Sequence, residues 1–158
     1  MNRLLIGMVC LFVWMAYGTS SKAAGTPLEC DFYQQQKAQQ SPGPALVSQV
    51  PDALSPVPLN AVQITDQKIA RKIMVQGVYA RRTPTSSLEV MTRMVNCTDY
   101  PQHVQLRSSF MDEQQFPVEN TSAWQRVFLP PRATGVYQET STGTFDVTYF
   151  LIELKEGD

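Results

Sequence analysis

Residues Leu88 to Leu129 read LEVMTRMVNCTDYPQHVQLRSSFMDEQQFPVENTSAWQRVFL. This stretch decides the fold. Its clearest run is Gln102 to Met111, with Val104, Leu106 and Phe110 on one side and Gln105, Arg107 and Ser109 on the other. Alternation with period two marks a half-buried strand. From about Ser87 to Cys97, Leu88, Val90 and Met94 share one face while Met91 and Val95 share the other, which predicts a strand covered on both sides. Asp112-Glu113-Gln114-Gln115 predicts a turn into Phe116-Pro117-Val118, a short edge piece where proline is tolerated. Trp124 to Leu129 predicts the next strand, stopped by Pro130-Pro131.

The same period continues on both sides. Ile73, Val75, Gly77 and Tyr79 line one side of an earlier strand that ends at Arg81-Arg82-Thr83-Pro84. Gly135 to Thr140 forms another. After Gly143 comes Phe145 to Leu154, with Val147, Tyr149 and Leu151 on one face and Phe150 and Ile152 on the other. About seven short strands with frequent turn signals, and no amphipathic helix between them, predict an all-β domain over residues 68–158. The expected form is an immunoglobulin-like antiparallel β-sandwich, with a small barrel as the alternative. No internal repeat is visible.

Residues 25–67 have a different character and are expected to be an extended Gln/Pro-rich arm preceding the sandwich. Gln34, Gln35, Gln36, Gln39 and Gln40 form a polar run, and Ser41-Pro42-Gly43-Pro44 ends any helix begun at Asp31. Pro51, Pro56 and Pro58 keep the next stretch extended. Yet Leu46, Val47, Val50, Leu54, Val57, Leu59, Val62 and Ile64 are too frequent for a solvated spacer. The arm is therefore expected to dock, either on a neighbour or on its own domain.

Residues 1–24 read as a secretory signal. Arg3 supplies the positive start, Leu4 to Tyr17 is an uncharged and mostly apolar run, and Ser21-Lys22-Ala23 offers small residues before a cut after Ala23. As a helix that run spans about 21 Å, short of the roughly 30 Å hydrocarbon core, so an uncleaved anchor is the weaker reading. A lipidated cysteine is not expected: Cys10 follows Gly7-Met8-Val9 and Cys30 follows Pro27-Leu28-Glu29. The mature chain is expected to be periplasmic, without a membrane span of its own.

Thirteen Lys+Arg against fourteen Asp+Glu leave no field to hold nucleic acid. Three cysteines in no zinc-module spacing suggest no metal, and no cofactor is expected. Once the segment with Cys10 is removed, Cys30 and Cys97 are the remaining pair, and an oxidising compartment would join them as a disulfide. The alternative is two separate thiols, Cys97 buried and Cys30 loose in the arm.

Catalytic constellations are weak. His103 is the only histidine, with Cys97 and Asp99 near it in sequence, but nothing in this run supplies an oxyanion site. Asp112 and Glu113 are adjacent, so their side chains point apart and they read as turn formers. Asn96-Cys97-Thr98 and Asn120-Thr121-Ser122 match the N-glycosylation pattern, a triplet short enough to arise often by chance. Arg71, Lys72, Arg81 and Arg82 read as charges that protect a sheet edge, or as a face for an acidic partner. Asn96 is suited to bond nearby amides at a strand end. Trp124 is expected over the sandwich core, with a ligand-stacking platform as its functional alternative.

Three motifs, Val90-x-x-Arg93-x-Val95-Asn96, Arg107-x-x-Phe110-x-Asp112 and Trp124-x-x-Val127-x-Leu129-Pro130, resemble the YcfL-like family of bacterial envelope proteins. The resemblance runs from Val75 to Leu154, about half of the chain. It implies a small exported β-sandwich with no established catalytic activity. The chain departs from the pattern in lacking the lipidated cysteine and in carrying the arm, which implies a location held by protein partners. The expected function is accordingly non-enzymatic: an accessory structural or interaction subunit of an outer-membrane or secretion-system assembly. Its partners would be other cell-envelope proteins in a multi-subunit complex, at partner-binding residues the sequence does not name. The alternatives are a soluble sandwich that binds peptidoglycan or saccharide through Trp124 and surface tyrosines, and an envelope hydrolase.

Overall fold

A computed structural model describes residues 30–47, 53–143 and 147–157, and within them the chain forms nine strands, one short helix and two 3-10 turns. The expected signal segment and the start of the arm lie outside the described residues. In chain order the elements are α1 (Tyr33–Ala38), β1 (Ala45–Leu46), β2 (Ser55–Val57), β3 (Val62–Ile64), β4 (Ile73–Arg82), β5 (Leu88–Asn96), β6 (Gln102–Met111), β7 (Gln125–Leu129), β8 (Thr134–Thr140) and β9 (Tyr149–Glu156). One sheet, A, runs β1-β9-β6-β7 with β3 also on β9; the other, B, runs β2-β4-β5-β8. All pairs are antiparallel except β3 with β9. The two sheets form a β-sandwich, as the strand pattern requires.

The inward rows close the core. Leu88, Val90, Thr92 and Met94 of β5 face Val104, Leu106, Ser108 and Phe110 of β6 across the sandwich, and Phe150, Ile152 and Leu154 join from β9. Val95 and Met74, paired on the other side of sheet B, are buried too, so β5 is covered on both faces at this end. Phe116-Pro117-Val118 makes only an isolated bridge between Pro117 and Met111 instead of a strand.

Strand β4 departs from simple alternation. A bulge between Val75 and Gly77 inserts Gln76, so Ile73 and Val75 are followed inward by Val78 and Ala80, and Tyr79 turns outward. One extra residue reverses every later side chain, which sequence period alone does not reveal. Tyr79 then lies over Gly77, where an added Cβ would meet its ring at 2.8 Å. Arg82, expected as a solvent charge, consequently points inward. It is buried, donates to the carbonyl oxygens of Val147 and Ser86, and burial lowers its pKa.

The expected arm is woven into both sheets, so the sandwich begins well before residue 68. Chain from β1 on sheet A crosses to β2 on sheet B and returns as β3 on sheet A. Strand β3 lies on the same edge of β9 as β1 but runs the opposite way, parallel to β9. Ala45, Val47, Ala61 and Val62 enter the core, with Val57, Leu59 and Ile64 packed against it. Leu46 and Leu54 remain exposed, and Val50 lies outside the described residues.

Helix α1 explains the glutamine run. Beyond β2, the first half of β4 has no strand neighbour on its outer edge among the described residues. The Gln35 side chain fills it: Nε2 donates to the Ala70 and Ile73 carbonyls at 3.0 and 3.1 Å, and Oε1 accepts from the Val75 N–H at 2.7 Å. One turn on, Gln39 repeats the device on sheet A, donating to the Val62 carbonyl and accepting from the Ile64 N–H at 2.9 Å. A primary amide carries the same donor and acceptor as a peptide. The i, i+4 spacing puts both amides on one helix face, so α1 caps an edge of each sheet.

Candidate functional site

The disulfide between Cys30 and Cys97 is present, with Cα atoms 5.9 Å apart. It fastens the chain three residues before α1 to the residue that follows β5, and removes Cys97 from any thiol chemistry. Asp99 is held by Arg132 at 2.8 Å, a hydrogen bond that lowers the carboxylate's pKa and raises that of the guanidinium. His103 instead packs against Phe128, with ring centroids 5.0 Å apart and planes tilted by 44°. The Cys–His–Asp set is therefore not brought together. Asp112 is a turn former: its Oδ1 accepts from the Gln114 and Phe116 N–H groups at 2.9 Å each. Asn96 ties the β5–β6 connection to the end of β7, donating to the Tyr100, Leu129 and Pro130 carbonyls and accepting from Thr98. Of the remaining basic residues at β4, Lys72 pairs with Glu156 and Arg81 with Glu89. Thr121 and Ser122 bond Ser109 and Ser108, which pins that segment to β6.

Among the described residues no group of histidine, cysteine and carboxylate side chains could hold a metal ion. No described helix is long and apolar enough to cross a membrane. Two concavities of about 390 and 430 Å³ flank α1 and share Gln34 and Leu59; neither has an aromatic side chain in its lining.

The outer face of sheet A is the most differentiated surface. Alternation along β6 and β9 directs Gln105, Arg107, Glu153 and Lys155 outward, with Gln105 opposite Lys155 and Arg107 opposite Glu153. Gln125 pairs with Leu106, which delivers the preceding Trp124 over Arg107. Trp124 is thus half-buried on this outer face and not over the core, a correction to its expected place. The reason is parity: the inward positions of this edge are Val127 and Leu129, and Leu129 fills the space left by Gly135, where a Cβ would come within 2.2 Å of it. The Arg107 guanidinium and the Lys155 ammonium each lie 4.4 Å from the Trp124 ring centroid, close enough for cation–π attraction. Arg107 also donates to Glu153 at 2.6 Å, which raises its pKa.

Around this centre lie Phe128, 54% exposed and beside His103, and at the far end Leu46, 62% exposed opposite Tyr149. A tryptophan held between two cations thus lies on the same face as exposed apolar side chains.

No family model matches the chain, and no curated protein matches it. Solved structures do. The chain is similar to cj0090 of Campylobacter jejuni at 14% identity and a TM-score of 0.51, over 61% of this chain and 98% of that one. It is also similar to a DUF1425 family member from Shewanella sp. pv-4 at 12% identity and a TM-score of 0.43, over 73% and 98%. Identity this low speaks to the fold alone.

Proposed function

We propose that this chain is an exported, non-catalytic β-sandwich that acts by binding other envelope proteins through the outer face of sheet A. The carrying observation is Trp124, partly buried on the outer face and pinned by Arg107 and Lys155 beside the exposed Phe128. A large side chain already fixed loses little entropy on binding, and the basic groups around it suit a partner that presents carboxylates among apolar side chains. Supporting the reading are the signal-like residues 1–24 and the resemblance of residues 75–154 to the YcfL-like family, which together suggest the periplasm. The role that fits best is an accessory subunit of an outer-membrane or secretion-system assembly. The test is co-purification from cross-linked envelopes with Trp124→Ala combined with Lys155→Glu. Expected is loss of the co-purifying envelope proteins while thermal unfolding stays cooperative. Full retention of those proteins by the folded variant would overturn the reading.

A further inference from the structure

Every other sheet edge of the described residues is short or blocked. Strand β2 has three residues and carries Pro56, β1 has two, and the first half of β4 and β3 are capped by Gln35 and Gln39. Strand β7 has five residues and stops at Pro130-Pro131. Strand β8 is the exception. It lies at the end of sheet B, runs seven residues, and contains neither proline, lysine nor bulge. Chains block such edges because open backbone groups recruit strands from other molecules.

The orientation of its groups follows from the two ends. The Asn96 N–H donates to the Ala133 carbonyl, and the Ser141 N–H donates to the Leu88 carbonyl, so the odd-numbered residues bond β5. Thr134, Val136, Gln138 and Thr140 therefore direct their N–H and C=O groups away from the sheet, and all four are exposed. Among the described residues no strand pairs with them.

We propose that β8 pairs antiparallel with β8 of a second copy of this chain, about a two-fold axis at Tyr137, joining the two B sheets. That axis sets Thr134 opposite Thr140 of the second copy and Val136 opposite its Gln138, in the hydrogen-bonded positions. Every outward backbone group of the strand then has a partner. The four outward side chains carry no charge, so the strand does not repel its own copy, and a charged partner strand would find no counter-charge. Thr–Thr pairs at both ends fit cross-strand packing. Inward, Glu139 falls opposite Gly135, which brings no like charges together. The self-pairing uses sheet B and stands apart from the partner face on sheet A.

Sedimentation of the purified full-chain protein should show a dimer that dissociates on dilution. Val136→Lys with Gln138→Lys changes two exposed positions and places lysines across the axis; it should raise the dissociation constant about tenfold or more while unfolding stays cooperative. Register is read by mixing V136C protein with Q138C protein under oxidation. Directly opposite positions lie about 5.5 Å apart and can bridge, whereas diagonal ones lie about 7–8 Å apart and cannot. Covalent dimer should form in the mixture and not in either variant alone. A monomer at all concentrations, a dimer indifferent to the lysines, or equal cross-linking by V136C alone would each overturn the proposal.

Discussion

Gln35→Leu is the sharpest perturbation of the fold. Gln35 is 3% exposed and its amide bonds the Ala70 and Ile73 carbonyls and the Val75 N–H. Leucine fills similar space but leaves at least the Ile73 carbonyl and the Val75 N–H without a partner in a buried site. Each orphaned group costs about 1–3 kcal/mol, so the loss should be about 2–6 kcal/mol. In urea, with the disulfide intact, the unfolding midpoint should fall by about 1–3 M. Gln36→Leu, on the exposed side of the same helix, is the control and should stay within about 0.5 kcal/mol of the parent. Equal midpoints for the two variants would show that α1 lies on the sandwich without bearing on its stability.

Three more outcomes follow from the core and the bridge. The Tyr137 hydroxyl is buried beside Ser108 at 2.9 Å, and burial pushes its pKa up to about 12. The unfolded phenol titrates near 10, so stability is intact below that pH and falls by about 3 kcal/mol as pH rises towards 12. Tyr137→Phe should flatten this part of the pH curve, and an unchanged slope would count against a buried neutral phenol. Thr92 is fully buried with a hydroxyl that has no partner among the described residues, so Thr92→Val should raise stability by about 1 kcal/mol; a loss of that size would mean the hydroxyl is satisfied. Cys30→Ser with Cys97→Ser opens a link between residues 67 apart and should cost about 4 kcal/mol on the chain-entropy model, with two free thiols counted on reduction of the parent pair and none before it. A midpoint that does not move would show that the bridge constrains a chain already ordered.

Strands β4 to β9 were legible as short β-rich runs between strong stop signals, most of them with period-two alternation. The inward row of β6 matches its pattern position by position. Short strands β1 to β3 were not legible: two or three residues hold no period, and prolines beside them argue for extended chain. Their aliphatic content did signal docking, and the structure supplies the site, on the same chain. The bulge at Gln76 left no mark in composition, so Tyr79 and Arg82 came out on the opposite faces from those expected. Gln35 and Gln39 were hidden inside a run of like residues, although their i, i+4 spacing was there to find. Trp124 was misplaced because size argues for burial, whereas its position in the register argues for the face of Arg107 and Lys155. For Cys30 and Cys97 the sequence left two readings open, a bridge or two separate thiols, and the structure shows the bridge.

The central claim is that the outer face of sheet A meets another envelope protein. A photo-cross-linking amino acid at Phe128, introduced into the full chain in cells of its source, tests this most directly. Phe128 is exposed, and its ring contacts only the His103 ring among the described aromatic pairs, so the fold tolerates the change. Irradiation should trap a discrete adduct with a different exported protein, and the adduct should vanish when Trp124→Ala and Lys155→Glu are added. Adducts absent from Phe128 but present from the exposed Tyr100, on the β5–β6 connection, would contradict the claim and move the partner to another surface.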